Sequence, residues 1–132
     1  LPFAVRWLDA RPDAFPPHIP ANATAAVFAD PQKELAAAPA GAFVLVMTHD
    51  HALDLAVVSA ALRRPDIPYI GLIGSETKRA RFVGQLARAG LEETDIARLV
   101  CPIGIAGITG KSPAIIAAAT AADLLLRSEV LR

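Results

Sequence analysis

Short apolar runs alternate along this chain with longer segments in which apolar residues recur at helical spacing. The clearest run, 43–47, contains no polar residue, which is typical of a strand buried on both faces of a parallel sheet. Further strands are predicted at 3–8, 25–28, 69–73 and 99–101. Helices are predicted from 31 to about 38, 51 to 64, 76 to 89, 92 to 98 and 113 to 127. This alternation predicts an α/β fold with a doubly wound, mostly parallel sheet.

Local residues support these boundaries. A capping residue stands directly before a proline at Asp30 and at Ser112, which is typical of a helix start. Four prolines between 12 and 22 indicate an irregular loop. In the helix after residue 50, one face carries the apolar residues Leu55, Val58 and Leu62. In the last helix, the face expected to lie close on the sheet consists of Ala117, Ala118, Ala121 and Ala122.

Composition narrows the class of protein. The 132 residues suit a single domain over 1–132, and no apolar run approaches the roughly 20 residues of a membrane span. Thirteen basic residues balance 13 acidic ones, so bulk charge predicts neither a nucleic-acid nor a membrane partner. One cysteine fits a reducing compartment such as the cytoplasm. The chain begins at Leu1 without a methionine, which indicates a processed, excised or truncated chain.

Polar residues follow each predicted strand, and the carboxyl ends of parallel strands meet at one edge of a sheet, where ligands bind. We call this edge the rim. Its candidate binding residues are Asp9, Arg11, Thr48, His49, Asp50, His51, Gly74, Ser75, Thr77, Lys78, Arg79, Cys101 and Gly104.

The strongest anion-binding candidate is the turn from Gly74 to Arg79. Ser75 is a good N-cap, Gly74 lets a ligand approach, and Lys78 and Arg79 lie one turn into the helix. The free N–H groups of a helix start favour an anion. The alternative is an ordinary capped helix with a solvated basic face.

The other rim residues leave alternatives open. Asp9 is placed to bind a ribose hydroxyl, as in dinucleotide folds, or to cap a turn and pair with Arg11. His49 and His51 suit a metal or hydrogen bonds to a ligand, but two histidines are not a complete metal site. Asp50 is also a natural N-cap.

The last two candidates lie in and before a glycine-rich loop. Two interpretations of Cys101 remain open. It is either a thiol ligand or sulfur carrier, or a small buried apolar residue. The loop from Gly104 to Ser112 is similar to a phosphate-binding loop but fails its spacing, because Ile105 stands where the first glycine is needed. A nucleoside triphosphatase is therefore not expected.

Four motifs in order resemble one known family. They are DARP at 9–12, THDHALD at 48–54, YIGLIGSETKR at 69–79 and PIG at 102–104. Together they resemble the C-terminal Rossmann-like domain of the xanthine dehydrogenase accessory proteins (XdhC/CoxI), over nearly the whole chain. The resemblance implies a non-catalytic accessory protein that binds molybdenum cofactor. Its implied partners are a molybdenum hydroxylase such as xanthine dehydrogenase and a cysteine desulfurase. The oligomeric state stays open, a homodimer included.

The resemblance also implies a missing part. Family members precede this region with a strand, a glycine-rich loop and a separate N-terminal domain. In Rossmann order that strand is central, between the strands that here end at Asp9 and at Thr48. We therefore expect a gap between them, unless a longer chain or a partner fills it or the strand order differs.

Three functional hypotheses follow. In the leading one, the pterin phosphate of molybdenum cofactor lies at Gly74 and Ser75 with Lys78 and Arg79, and residues 49–51 line the pocket. The second is an NAD(P)-dependent oxidoreductase that uses Asp9 for ribose. The third is a domain that only docks on a target enzyme.

Overall fold

The computed structural model describes residues 2–131, and these contain five strands and five helices in the order β-β-α-β-α-β-α-α-β-α. The strands are β1 (Val5–Asp9), β2 (Ala23–Val27), β3 (Phe43–Val46), β4 (Tyr69–Leu72) and β5 (Leu99–Val100). The helices are α1 (Pro31–Ala37), α2 (His51–Leu62), α3 (Glu76–Arg88), α4 (Glu93–Ile96) and α5 (Pro113–Val130). The α/β prediction is confirmed, with β2 starting two residues earlier, α4 shorter and α5 longer than expected.

Every strand pairing in the described part of the chain is parallel, but the strands form two sheets instead of one. β1 pairs with β2, and β3–β4–β5 form the second sheet. The starts of β1 and β3 nevertheless lie close together, as shown by the ring of Phe3, just before β1, which is 6.1 Å from the ring of Phe43. The break in the sheet therefore falls where the expected gap was placed.

The main-chain groups that border the gap can be identified from the pairing pattern. Val5 donates its N–H to Asn22 on the β2 side, so the next residue along, Arg6, directs its main-chain groups the other way. Ile73 donates to the carbonyl of Val46, so Leu45 directs its own groups away from β4. β1 and β3 thus present open hydrogen-bonding edges to each other.

The main core lies on the face of β3–β4–β5 that α2 and α3 cover. Its fully buried side chains are contributed by both the sheet and the two helices, and they include Val46, Leu72, Val58, Leu62, Phe82 and Leu86. The predicted helix face of α2 is confirmed at Val58 and Leu62, while Leu55 is partly buried. This core holds α2 and α3 in place, and with them the rim turns from which they start.

α5 packs on the opposite face of the sheet, and its predicted face was wrong in part. Of the four predicted alanines, Ala117 and Ala121 line the space between α5 and the sheet. Ala118 is exposed, whereas the neighbouring Ala119 and Thr120 are buried. The orientation is set by a distant contact, since a Cβ at Gly104 would lie 3.6 Å from that of Ala119. Leu124 is buried on the same side of the helix.

The sheet face shared with α5 is incompletely covered next to the gap. Arg6 points toward Glu34 of α1, so Val5 and Trp7 point to the α5 face. Both are exposed, as are Leu45 and Met47 on the same face at β3. Within residues 2–131, no helix is both long and apolar enough to cross a membrane.

Candidate functional site

A buried ion pair joins the first turn of α2 to the start of α3. The side chain of Asp54 is completely buried, and its Oδ2 accepts a hydrogen bond from Lys78 Nζ at 3.0 Å. Its Oδ1 accepts from the main-chain N–H of Thr48 at 2.9 Å. Lys78, expected to meet an anion, therefore directs its ammonium inward at a carboxylate of its own chain.

The path of the Lys78 side chain explains why residue 74 is a glycine. A Cβ at Gly74 would come within 2.6 Å of Lys78 Cδ, so the lysine stem crosses the position where a side chain would lie. The Lys78 ammonium also lies 5.5 Å from the ring centroid of Phe82. Gly74 is thus needed for the route of Lys78 to Asp54.

Ser75 caps α3 as predicted, since its hydroxyl accepts from the N–H of Lys78 at 3.2 Å. The N–H groups of Glu76 and Thr77 precede the first intrahelical hydrogen bond, which runs from Arg79 N–H to Ser75 O. The side chain of Arg79 is half-buried and has no hydrogen bond or ion pair among residues 2–131. The start of α3 therefore offers two main-chain donors and one unpaired guanidinium.

The turn after β3 presents its polar side chains to the same rim. Asp50 is the N-cap of α2 and accepts from the N–H of Ala52 at 2.8 Å, as predicted. His49 and His51 are both exposed. No group of three or more metal-ligating side chains forms in the described part of the chain. Both imidazoles are therefore open to solvent at the rim.

Cys101 lies behind the Ser75 turn. Its Sγ is 4.0 Å from the carbonyl oxygen of Ser75, and the side chain is buried. Burial raises the pKa of the thiol above its ordinary value, although the charges of Lys78 and Arg79 act in the opposite direction. A buried, protonated thiol of this kind packs as a small apolar side chain.

Asp9 and Arg11 are hydrogen-bonded to each other at the end of β1. Arg11 Nε and Nη2 donate to the two carboxylate oxygens of Asp9, each at 3.1 Å, and the Arg11 N–H donates to Oδ1 at 2.9 Å. These bonds hold the pKa of the Asp9 carboxyl at about 2. Two alternatives were left open for Asp9, and this geometry matches the one in which Asp9 caps a turn and pairs with Arg11.

The glycine-rich loop after β5 turns at Gly104 and Gly107, both of which have positive φ. Lys111 is exposed at its end, and Ser112 caps α5 by accepting from the N–H of Ile115 at 3.3 Å. The loop thus serves to bring the chain across to α5.

One residue of this candidate site was not among the predicted ones, namely Asp54. It occupies the same helical face as Val58 and Leu62, at i+4 and i+8, which indicates a buried position. A carboxylate on a buried face requires a partner, and this rule could have pointed to a nearby basic residue.

The chain is similar to known proteins in structure and in its match to a family model. The chain is similar to the crystal structure of a xanthine dehydrogenase from Bacillus halodurans, with 25% identity and a TM-score of 0.72. The match covers 96% of this chain but 36% of that one, so the chain spans about a third of its structural relative. No curated protein matches it in sequence. The family model of the XdhC Rossmann domain matches residues 1–124, and the chain therefore belongs to the XdhC family.

Proposed function

We propose that this chain is the molybdenum-cofactor-binding part of an accessory protein for the maturation of xanthine dehydrogenase or a related molybdenum hydroxylase. Family membership over nearly the whole chain and likeness to a protein described as a xanthine dehydrogenase support the accessory role. The cysteine desulfurase implied by the sequence analysis belongs to the same proposal. The observation that carries cofactor binding is the convergence of unpaired donors at the start of α3.

The donor chemistry fits the phosphate of a pterin cofactor. The N–H groups of Glu76 and Thr77 and the guanidinium of Arg79 are donors only, and the positive end of the α3 dipole adds to them. Arginine is well suited to a phosphate because its donors are arranged in a planar fork. These groups would hold the anionic end of the cofactor.

His49 and His51 fit the other end of such a ligand. Both are exposed on the turn that Asp54 ties to α3, and an imidazole can donate or accept a hydrogen bond. A pterin ring carries both donors and acceptors. The cofactor, when bound, supplies the molybdenum chemistry, and this chain's own residues bind and orient it.

The alternative of NAD(P) binding has no specific observation in its favour. Asp9, the residue expected to bind ribose, already has both carboxylate oxygens bonded to Arg11. The buried Cys101 likewise gives no support to a role as sulfur carrier.

Cofactor binding can be tested with a pair of arginine variants. Isolated molybdopterin is titrated anaerobically into the wild type, Arg79→Gln and Arg81→Gln, with NADH as a second ligand. Arg81 lies on the same helix and is exposed, so it serves as the matched control. We expect Arg79→Gln to weaken molybdopterin binding by about tenfold or more, the cost of a hydrogen bond to a charged group, and Arg81→Gln to leave it within about twofold. No binding to the wild type, or equal binding by Arg79→Gln, contradicts the proposal.

A further inference from the structure

We infer that Asp54 and Lys78 are positioning residues that hold the two rim turns at a fixed spacing. In this arrangement Arg79, not Lys78, supplies the positive charge that meets an anionic ligand. The identity of that ligand rests on the proposed function, whereas the coupling of the two turns does not.

The first support is the completeness of the pair. Asp54 is fully buried, and each of its carboxylate oxygens has one donor, Lys78 Nζ on one side and the Thr48 N–H on the other. The side chain of Lys78 is 14% exposed. If the ammonium swung out to a ligand, a buried carboxylate would be left without a counter-charge, which is strongly unfavourable. Lys78 is therefore held in place.

The second support is what the pair connects. Thr48 is the second residue after β3, and its hydroxyl accepts from the N–H of Asp50, which caps α2. Lys78 lies in the first turn of α3, and its stem crosses Gly74. The contacts from Lys78 through Asp54 to Thr48 thus join the turn after β3, which carries His49 and His51, to the Gly74–Ser75 turn.

The third support is the state of the neighbouring cation. Arg79 adjoins Lys78 in sequence, and its guanidinium has no hydrogen bond or ion pair within the described chain. Both charges act on the thiol of Cys101, so both lie near the same part of the rim. Of these two cations, Arg79 is the one available to a ligand.

The coupling is tested first without any ligand, by amide hydrogen exchange measured with NMR. Lys78→Met removes the ammonium but keeps an unbranched stem, and Lys33→Met on α1 is the exposed control. We expect the Thr48 amide to exchange at least tenfold faster in Lys78→Met, while the amide of Val58 in the core changes less than twofold. Lys33→Met should leave both amides unchanged. An unchanged Thr48 amide in a folded Lys78→Met protein overturns the inference.

The assignment of charge is tested by the salt dependence of molybdopterin binding. A cation that contacts the ligand makes affinity fall with ionic strength, and its removal flattens this dependence. We expect Arg79→Met to flatten it and Lys78→Met to leave the slope unchanged, even if the affinity falls. A flattened slope in Lys78→Met overturns the assignment.

If Lys78→Met does not fold, the double variant Asp54→Asn/Lys78→Met leaves no unpaired buried charge and is measured in the same way. If the wild type binds no molybdopterin, the proposed function fails, and the exchange experiment still decides the coupling.

Discussion

At the scale of single residues, partners decide what each candidate side chain can do. Lys78, Arg79 and Arg11 have similar charges and all lie near the rim, yet Lys78 is bonded to Asp54 and Arg11 to Asp9. Only the Arg79 side chain of these three lacks a bonding partner among residues 2–131. A basic residue near a binding edge is thus a candidate contact only after its internal partners are known.

The Asp9–Arg11 pair makes a prediction about pH. The Asp9 pKa of about 2 lies below the ordinary value of about 3.9, so the pair stabilises the fold above about pH 4. That contribution is lost as the pH falls toward 2. We expect Arg11→Gln to raise the pKa of Asp9 toward its ordinary value, as measured by NMR titration of the side-chain carboxyl carbon. Arg6 lies on the same strand as Asp9 but pairs with Glu34 of α1. Arg6→Gln therefore serves as the control and should leave the Asp9 pKa unchanged. An Asp9 that titrates near pH 4 in the wild type contradicts the structure.

At the scale of elements, local chemistry accounts for most of the boundaries. The helix starts at Pro31, His51, Glu76 and Pro113 each follow a capping side chain that accepts an N–H from the first turn. These caps depend on two to four neighbouring residues and are therefore readable from the sequence. The orientation of α5 could not be predicted from the sequence in the same way. Its buried face depends on contacts with the sheet and with Gly104, which are distant in sequence.

Alanine substitutions at Gly74, just before α3, and at Gly84, within α3, are expected to have opposite effects on stability. Gly74→Ala places a Cβ 2.6 Å from Lys78 Cδ, and the lysine cannot move aside easily because Asp54 holds its far end. We expect a loss of roughly 1–3 kcal/mol in the free energy of unfolding, as for other overpacked sites. Gly84→Ala, inside α3, meets only the end of Arg88 at 3.5 Å and should stabilise by roughly 0.5–1 kcal/mol.

Urea unfolding of the two variants and the wild type measures both effects. In a Lys78→Ala background most of the steric cost of Gly74→Ala should disappear, because Cδ and Cγ of Lys78 are gone and only the Cβ contact at 3.2 Å remains. A Gly74→Ala variant as stable as the wild type shows that the lysine takes another route.

At the scale of the whole molecule, the divided sheet is the dominant feature. β1 and β3 face each other with open hydrogen-bonding edges, and the apolar side chains of Val5, Trp7, Leu45 and Met47 are exposed on one face beside them. Open edges and exposed apolar surface are both features that proteins usually cover. This region therefore combines two open strand edges with exposed apolar side chains.

Amide exchange tests the gap directly. The N–H groups of Leu8 and Leu45 point into the gap, whereas those of their neighbours Trp7 and Val46 belong to the ladders with β2 and β4. We expect Leu8 and Leu45 to exchange at least tenfold faster than Trp7 and Val46, respectively. Equal protection of both members of each pair would show that the two edges are covered.

The sequence by itself determined the type and order of the elements, their caps, the parallel sheet, the position of the gap and the family. The elements and their caps follow from periodicity and capping residues, which are properties of neighbouring residues. The family followed from the resemblance of four motifs, and the position of the gap was what that resemblance implied. Only the tertiary structure decided that Lys78 bonds to Asp54, that Arg79 is left unpaired and that α5 buries Ala119 and Thr120. The reason is physical: Asp54 and Lys78 are 24 positions apart, and whether a charge is buried and paired depends on how separate elements pack.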